Sequence, residues 1–392
     1  MKKKSEVKPM KCNELFTEID ALNADYIKVW EDVCNIESPT KYKAGVDACG
    51  ELFAKMAEER GWKVEYFRQA VAGDLVDITM NPDAEEKPII FSAHLDTVHP
   101  VGLFGSPAVK IEGDKIYGPG VEDCKGGAVA AFLAMDALDR CGFRARPVKL
   151  ILQTDEEVSS VISGKTTIAY MCDRALESVA FLNLEGYSTG KACIMRKGTI
   201  TFTFKVEGVE AHGSLCATAG SNAILDAAHK IIELEKLKDK DGLTCNCGVI
   251  SGGSVPNTVP GYCEFKANIR FANSEQLEWV REHVKKIAAT VHVPGCKCTV
   301  NDPKGRVAME YSEKNVALLA RMNEIFAENG LPELIGSKSN GASDAANVTA
   351  AGAACIDSIG VRGGKIHTPD EFAYLDSLAE CAKRLAAVAA NI

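Results

Sequence analysis

Four short apolar runs stand out in the pattern of hydrophobic and polar positions, at residues 88–93, 148–153, 179–184 and 353–359. Each run is too short for a typical helix and predicts a buried β-strand. Strands that are apolar on both faces are typical of parallel sheets covered by helices. The pattern therefore indicates an open α/β sheet in the main part of the chain.

The stretches around these runs supply the helices and the remaining strands of the same domain. Residues 13–34 and 42–60 have the spacing of amphipathic helices, and residues 126–138 form an alanine-rich helical stretch. Residues 62–67 and 75–80 alternate between apolar and polar positions, which predicts antiparallel edge strands. We therefore expect an α/β domain whose sheet is mixed, mostly parallel and flanked by helices.

A different pattern begins at about the middle of the chain. Residues 199–206 alternate with period two, as the strands of a one-sided sheet do. With the elements that follow, the order becomes the βαββαβ of a ferredoxin-like unit. These elements are predicted at residues 199–206, 222–237, 243–251, 261–271, 274–290 and 297–300. We therefore expect an inserted domain at residues 196–304, and a main domain made of residues 1–195 and 305–392, in which helical spacing resumes at residues 315–329.

The bulk composition narrows the class of protein. A chain of 392 residues exceeds the usual size of one domain, and 46% hydrophobic content is enough for two cores. The net charge is -9 and the basic residues form no cluster, which argues against nucleic acid or an anionic membrane surface as the main partner. No run of about 18 apolar residues is present, so we expect no transmembrane helix.

The use of cysteine indicates the compartment. Fifteen cysteines are scattered along a long chain, and their number is odd. This usage fits reduced thiols better than a disulfide framework. We therefore expect a cytoplasmic protein.

Acidic residues and histidines follow the predicted strands or precede the alanine-rich helix. In chain order these residues are His94, Asp96, Asp123, Glu156, Glu157, Glu185 and His367. Ligands of open α/β sheets bind outside the carboxyl ends of the strands. The sequence therefore predicts a metal site at this edge of the sheet.

Five of these residues are candidate metal ligands, namely His94, Asp123, Glu157, Glu185 and His367. Three carboxylates with two imidazoles suit zinc, cobalt or manganese. A carboxylate such as that of Asp123 can also bridge two ions that lie about 3.5–4 Å apart. Any one of these residues alone would be an ordinary solvated side chain, so the prediction depends on their common placement at strand ends.

Two acids near these ligands have other predicted roles. Adjacent residues of an extended segment point in opposite directions, so Glu156 and Glu157 can hardly bind the same ion. One of the two is expected to be a ligand and the other a general base that faces water. Asp96 could accept a hydrogen bond from the second ring nitrogen of His94, or pack beside the bridging acid, and so fix the geometry of the ligands.

Several motifs in one order resemble a known enzyme family over essentially the whole chain. The motifs are Ser92-Ala-His94-Leu-Asp96-Thr97, the stretch from Gly118 to Gly127, Thr154-Asp-Glu156-Glu157, Leu184-Glu185-Gly186, Ala211-His212-Gly213, the stretch from Gly252 to Asn257, Gly341-Ala-Ser343-Asp344 and the loop of His367. The chain resembles the dinuclear zinc metallopeptidases that include aminoacylase, glutamate carboxypeptidase, succinyl-diaminopimelate desuccinylase and acetylornithine deacetylase. Its resemblance to the glutamate carboxypeptidase branch is the greatest.

This resemblance implies two divalent metal ions as cofactors. Zinc is the first choice, and cobalt and manganese are the alternatives. The implied ligands are His94 and Glu185 for one ion, Glu157 and His367 for the other, and Asp123 as the bridge. Glu156 would be the general base, and Asp96 the supporting acid. The inserted domain would act as a lid and as the interface of a homodimer.

The resemblance also implies that two residues of the inserted domain reach the active site. His212 and Asn257 would polarise the carbonyl of the scissile bond and stabilise its oxyanion, in their own subunit or in the partner subunit. From the residues alone, His212 would be an exposed loop histidine. Only a domain that closes could bring it near the metal ligands, which lie far away in sequence.

The predicted substrate is a short peptide or an N-acyl amino acid with a free carboxylate beside the scissile amide. Arg270 is the candidate partner of this carboxylate, because a guanidinium binds a carboxylate in a bidentate manner. Gly341, Ser343 and Gly364 could supply backbone N–H donors. The glutamate at position 185, in place of the aspartate usual in di- and tripeptidases, favours the carboxypeptidase and deacylase branches.

The sequence therefore predicts a metal-dependent exopeptidase that resembles glutamate carboxypeptidase. Two alternatives of the same chemistry are an N-acyl-amino-acid deacylase and a di- or tripeptidase. An alternative of another class is an inactive, dimeric binding or scaffold protein on a peptidase fold. The presence of every expected ligand and of the base disfavours this last alternative.

Overall fold

The computed structural model describes residues 12–239 and 242–392. The chain divides into two compact units. The first unit contains the described residues up to Ile194, Tyr311–Lys338 and Ser343–Ile392, and the second contains Met195–Glu310 and Ser339–Ala342. Residues 1–11 of the predicted main domain and residues 240–241 of the predicted inserted domain lie outside the described residues.

The described residues form nine α-helices and eighteen strands. The helices are α1 Cys12–Asn35, α2 Lys43–Glu58, α3 Lys125–Arg140, α4 Thr166–Leu176, α5 Ala223–Glu235, α6 Ser274–Ala289, α7 Glu313–Glu328, α8 Ala345–Ala350 and α9 Asp376–Asn391. The strands are β1 Lys63–Phe67, β2 Leu75–Met80, β3 Ile89–His94, β4 Lys110–Glu112, β5 Lys115–Tyr117, β6 Val148–Gln153, β7 Ala180–Asn183, β8 Lys191–Arg196, β9 Gly198–Glu207, β10 Ala211–His212, β11 Thr244–Gly252, β12 Thr258–Val259, β13 Tyr262–Phe271, β14 Lys297–Val300, β15 Ile335–Ser339, β16 Cys355–Ile356, β17 Gly363–Gly364 and β18 Phe372–Tyr374.

The main sheet of the first unit has six strands in the order β1-β2-β6-β3-β7-β16. Strand β3 runs parallel to β6 and β7, and β16 runs parallel to β7. Strand β2 is antiparallel to both β1 and β6. The predicted mixed, mostly parallel sheet is thus confirmed.

The prediction that residues 75–80 form an edge strand is wrong. This strand, β2, lies inside the sheet, and all of its residues are buried. Its polar residue Asp77 is buried because Lys149 donates to it at 2.9 Å and Tyr170 at 3.0 Å. Alternation in the sequence indicated a solvent-facing side, but paired polar groups occupy that side instead.

The core of the first unit lies around helix α3, which packs against α1 and α9. Every residue of α3 from Lys125 to Leu138 is buried, and the many alanines allow its neighbours to approach closely. The buried ammonium of Lys125 donates to the carbonyls of Val33 at 3.3 Å and Ile36 at 2.7 Å, at the end of α1. A cation is favourable there because the carbonyl end of a helix is negative. Lys125 thereby fixes α1 to the start of α3.

The second unit is built on a separate antiparallel sheet with the strand order β11-β13-β9-β14. Strand β9 alternates between buried and partly exposed residues, as its period-two sequence predicted. Its core contains Phe204 stacked on Phe265, with ring centroids 4.6 Å apart, and helices α5 and α6 add apolar residues to the same core.

Several elements of the first unit are not among those predicted from the sequence. Helix α9 is rich in alanine, and α4 follows the loop after Glu157. Short strands form a further sheet in the order β17-β18-β5-β4. The predicted strand at residues 353–359 is reduced to β16, because the chain leaves the sheet at the buried Asp357.

Two further expectations concern the chain as a whole. No helix within residues 12–239 and 242–392 is both long and apolar enough to cross a membrane. None of the fifteen cysteines, all of which fall in the described part of the chain, forms a disulfide.

A buried ion pair in the first unit gives a prediction about stability. Arg60 lies 2.7 Å from Asp136 of α3, and the hydroxyl of Tyr26 donates to the same carboxylate at 2.7 Å. Burial opposes ionisation, but hydrogen bonds from Arg60 and Tyr26 lower the pKa of Asp136 below its ordinary value. We expect Asp136→Asn to lower the free energy of unfolding at pH 7 by roughly 3 kcal/mol, measured by urea titration, because it leaves Arg60 without its buried partner.

The pH dependence of this loss follows from the direction of the pKa shift. A carboxylate with a lowered pKa in the folded state stabilises fully above its unfolded pKa of about 4, and this stabilisation is lost as the pH falls through the folded pKa. The stabilities of the wild type and Asp136→Asn should therefore begin to approach each other as the pH falls below about 4, and should become equal only below the lowered folded pKa of Asp136. Asp25→Asn is the control, because Asp25 pairs with Lys28 on the exposed surface and should change stability by less than about 1 kcal/mol. Equal losses in the two variants would contradict the prediction.

Candidate metal centre

Three neighbouring parallel strands bring the first acids and histidine together. His94 is the last residue of β3 and is in register with Gln153, the last residue of β6. Glu156 and Glu157 lie three and four residues after the end of β6, and Glu185 lies two residues after the end of β7. Because β6, β3 and β7 are adjacent and parallel, the residues after their carboxyl ends meet at one edge of the sheet.

Asp123 reaches the same edge from the loop before α3. The start of α3 packs closely on the end of β7, since a Cβ atom at Gly127 would lie 2.4 Å from the carbonyl oxygen of Leu184. Only glycine allows this approach. It places Asp123, two residues before α3, beside Glu185.

The two carboxylate oxygens of Asp123 face two different histidines. Oδ1 lies 3.0 Å from Nε2 of His94, and Oδ2 lies 3.2 Å from Nε2 of His367. A second acid accompanies each histidine. Oε1 of Glu185 lies 3.9 Å from Nε2 of His94, and Oε2 of Glu157 lies 3.2 Å from Nε2 of His367. The structure thus brings all five predicted ligands together, in two pairs on either side of one shared carboxylate.

The acids of this cluster outnumber its histidines, and this crowding of carboxylates together with burial shifts their pKa values. Burial raises the pKa of Glu157 to about 7, and burial together with the charge of Asp123 raises the pKa of Glu185 well above its ordinary value. Hydrogen bonds to Asp123 and Glu157 raise the pKa of His367 to about 10. Burial opposes ionisation of Asp123, but the hydrogen bonds with His367 and His94 lower its pKa. Divalent cations would relieve this repulsion, so both the charge and the donor types fit a metal centre.

Asp96 supports the centre through the backbone more than through the ring of His94. Its carboxylate accepts the backbone N–H groups of Glu156 at 3.1 Å and Glu157 at 3.2 Å, and the hydroxyl of Thr40 at 2.8 Å. Nδ1 of His94 lies 2.9 Å from the backbone carbonyl of Asp96 and 3.4 Å from its carboxylate. Asp96 therefore fixes the segment that carries both glutamates.

Glu156 lies in the same cluster. Its side chain is buried, and its charge contributes to the raised pKa of Glu185. The loop after it is held by the buried Asp155, which accepts the backbone N–H of Ser163 and the hydroxyl of Thr167, both at 2.8 Å. Glu156 is therefore presented by a backbone that is fixed on both sides.

Two groups near the centre are not among the predicted site residues. The donor atoms of Cys124 lie within 4.8 Å of those of His94 and Glu185. The thiol of Cys124 donates to the carbonyl of Leu184 at 3.0 Å, so it also fixes the end of β7 beside Glu185. Cys124 belongs to the motif from Gly118 to Gly127, but the sequence alone gives its thiol no role. Glu371 is a buried acid four residues after His367, and it contacts the backbone of Asp123 at 3.1 Å.

His212 and Asn257 lie together in the second unit. His212 ends β10, which pairs with β12, and the N–H of Gly213 donates to the carbonyl of Asn257 at 2.6 Å. The ring of His212 is exposed, and its Nδ1 lies 2.8 Å from the hydroxyl of Ser214. Both residues therefore sit on one loop pair of this unit.

The predicted substrate contacts are divided between the units. In the second unit, Arg270 donates to the carbonyl of Asn340, and the N–H of Gly341 donates to the hydroxyl of Ser339 at 3.2 Å. Arg270 thus holds the tetrapeptide 339–342. In the first unit, the hydroxyl of Ser343 donates to the buried Asp357 at 2.6 Å, and Gly364 pairs with Phe372 in the small sheet.

Comparison with known proteins identifies the family of the chain. The family model of peptidase family M20/M25/M40 matches residues 90–391. The chain belongs to this family. Within it, the M20 chain is 25% identical to carboxypeptidase G2 of Pseudomonas sp. (strain RS-16), over 93% of this chain and 88% of that protein. It is 26% identical to a [LysW]-lysine/[LysW]-ornithine hydrolase of Saccharolobus solfataricus, over 80% of each protein.

Solved structures show that the M20 chain has the fold of this family. A tripeptidase of Staphylococcus aureus matches with a TM-score of 0.77 at 20% identity, over 93% of this chain and 97% of that chain. An M20 family metallo-carboxypeptidase of Sulfolobus solfataricus matches with a TM-score of 0.72 at 17% identity, over 94% and 99%. A dinuclear metal binding peptidase of Bacillus subtilis matches with a TM-score of 0.70 at 15% identity, over 95% and 98%.

Proposed function

We propose that this M20 protein is a dinuclear metal-dependent amidohydrolase that cleaves an amide bond beside a free carboxylate, as glutamate carboxypeptidases do. One observation carries the proposal. The two oxygens of Asp123 each face a different histidine, and each histidine has its own buried or half-buried glutamate. A single carboxylate shared in this way is what two adjacent cations require.

The proposed ligands follow the two pairs in the cluster. His94 and Glu185 would hold one ion, His367 and Glu157 would hold the other, and Asp123 would contribute to both. This donor set suits zinc first, and also cobalt or manganese. Bound ions of this kind supply Lewis acidity to a carbonyl and make a nearby water more acidic.

Glu156 is the proposed general base. It accepts a proton from the attacking water and then gives that proton to the leaving amine. Asp96 supports this role, because it accepts the backbone N–H groups of both Glu156 and Glu157. It thereby fixes the backbone from which the base and the ligand project. Burial is the largest cause of the raised pKa of Glu185. Glu185 and Glu156 therefore lie in an environment with little water, which suits a general base.

The second unit is the proposed lid and dimerisation domain. Its strand order fits the predicted ferredoxin-like βαββαβ arrangement. Strand β11 lies at an edge of its sheet, and Val249 and Ile250 on it are exposed, as are Leu225 and Ile232 of helix α5. Exposed apolar residues beside an open strand edge favour a homodimer through this unit.

The proposed substrate is a short peptide with a C-terminal acidic residue, or an N-acyl amino acid. The proposal draws on the similarity to carboxypeptidase G2, and on Arg270, whose guanidinium could hold a carboxylate in a bidentate manner. His212 and Asn257 are proposed to polarise the scissile carbonyl.

Chelation and reconstitution test the proposed function. The protein loaded with zinc should release the C-terminal residue from at least one member of a panel of dipeptides and N-acyl amino acids that includes C-terminal glutamate. Removal of the metal with a chelator should abolish this cleavage, and two equivalents of zinc should restore it. Cleavage that survives complete removal of metal would contradict the proposal. No cleavage of any member would favour a binding protein.

His212→Ala tests the proposed role of the second unit. We expect kcat to fall by about 100-fold to 1,000-fold with unchanged metal content, because one donor to the developing oxyanion is lost. Steady-state kinetics and metal analysis measure the two effects. His229→Ala is the control, because His229 is an exposed histidine on α5 of the same unit. Equal kcat values for His212→Ala and wild type would remove His212 from the site.

A further inference from the structure

We propose that Glu371 is a positioning residue that joins the loop of Asp123 to the loop of His367. The inference rests on the proposed metal centre, although Glu371 is not one of the five proposed metal ligands. Its evidence is a set of five hydrogen bonds, which we call the Glu371 clasp.

The carboxylate of Glu371 is almost fully buried and accepts four hydrogen bonds. Oε1 accepts the backbone N–H groups of Glu122 at 3.0 Å and Asp123 at 3.1 Å. Oε2 accepts the N–H of Gly120 at 3.2 Å and lies 2.9 Å from Nε2 of His99. A carboxylate has two lone-pair sites on each oxygen, so these four donors occupy all of its acceptor sites.

The backbone carbonyl of Glu371 makes the fifth bond of the clasp, because it accepts the N–H of Gly118 at 3.3 Å. The N–H of Glu371 donates to the carbonyl of Thr368 at 3.2 Å, and this bond lies within the His367 loop itself. The loop from Gly118 to Asp123 is therefore joined to Glu371 by four hydrogen bonds. It is held directly at the residue whose carboxylate is shared between the two histidines.

The loop of His367 is exposed, because residues 365–370 all lie on the surface. The side chain of His367 is 53% exposed, in contrast to the 3% of His94, and its backbone is in the left-handed region at φ 61°. The left-handed conformation of a residue other than glycine costs free energy, and it persists only where the surrounding structure holds it. The clasp begins four residues later, so it is the nearest buried anchor of the His367 loop.

His99 extends the clasp to a third segment. This histidine lies three residues after Asp96, is 5% exposed, and packs edge-on against Phe104 with ring centroids 4.9 Å apart. Its bond to Glu371 links the loop after β3 to the other two loops. Three loops that border the metal cluster therefore meet at one carboxylate.

The chemistry of the clasp requires a carboxylate. Each oxygen of Glu371 accepts hydrogen bonds from two donors. In glutamine one oxygen is replaced by an NH₂ group, which would face two donors and leave them without an acceptor. Glu371→Gln keeps the size and one accepting oxygen, and it should keep part of the function. Glu371→Ala removes every side-chain contact.

Metal affinity of the full-length protein tests the clasp, with zinc titrated against a chromophoric chelator. We expect the affinity of the weaker-bound ion to fall by about 10-fold to 100-fold in Glu371→Ala, and by less in Glu371→Gln. Asp136→Asn is the matched control, because it removes another buried and fully paired carboxylate of the first unit, far along α3 from Asp123. It should lose stability and keep wild-type metal affinity. This contrast separates positioning from a general loss of stability.

A second measurement uses the metal-free protein. Amide hydrogen exchange of residues 118–123 should be at least about tenfold faster in Glu371→Gln than in wild type, and unchanged in Asp136→Asn. Wild-type exchange in this segment together with wild-type zinc affinity in both Glu371 variants would overturn the inference. If the wild type binds no divalent ion, the proposed function fails, while the exchange measurement still decides whether the clasp holds the Asp123 loop.

Discussion

Glu156→Gln should lower kcat by about a thousand-fold and leave two metal ions bound. Glutamine keeps the size of the side chain and cannot accept the proton of the attacking water. Glu156 belongs to neither of the two histidine–glutamate pairs, so its loss should not weaken the metal centre. Steady-state kinetics and metal analysis of the same preparation give both values.

Glu157→Gln is the matched control for this variant. The two residues are neighbours, and Asp96 holds the backbone of both. The carboxylate of Glu157 lies 3.2 Å from the ring of His367 as one of the proposed ligands, so replacement of Glu157 should release one ion. Loss of metal in Glu156→Gln, or wild-type activity in that variant, would show that the two roles are assigned wrongly.

Asp123→Asn should have the second large effect. Asparagine keeps one accepting oxygen and turns the other into an NH₂ donor, so it can serve His94 or His367 but cannot be shared by two cations. We expect bound metal to fall from two equivalents to one or fewer, and kcat to fall by about a thousand-fold or more. Metal analysis after dialysis and the amidase assay measure these values.

Asp77→Asn controls for the loss of any buried acid in the first unit. Asp77 is fully buried in the main sheet and is paired with Lys149 at 2.9 Å, on a strand that carries no ligand. This variant should lose stability and keep both ions. If Asp123→Asn retained two ions at wild-type affinity, the shared carboxylate would have to be another residue.

Much of the fold could be predicted because periodicity in the sequence reports burial. The apolar run predicted at residues 88–93 corresponds to the buried strand β3, and the alternation at residues 199–206 corresponds to the one-sided strand β9. The edge assignment of residues 75–80 failed because Asp77 is buried with a partner that lies far away in sequence. Patterns along the chain do not reveal such pairing.

The candidate ligands could be found for the same reason, since strands that end side by side bring their next residues together. The contacts of the supporting groups could not be found in this way. The sequence predicts Asp96 as a supporting acid beside His94, but its carboxylate acts on the backbone of Glu156 and Glu157. Glu371, to which the sequence gives no role, acts on the backbone of the Asp123 loop. Backbone N–H groups are the same at every residue, so no letter of the sequence marks the acids that bind them.

The tetrapeptide 339–342 has a consequence for protein engineering. It belongs to the second unit although about thirty residues of the first unit separate it from Glu310, and three arginines of the second unit, Arg196, Arg270 and Arg306, donate to it. A gene fragment that encodes only residues 195–310 would deprive all three guanidinium groups of these acceptors. A soluble recombinant version of this unit therefore needs the four residues grafted back through a designed linker.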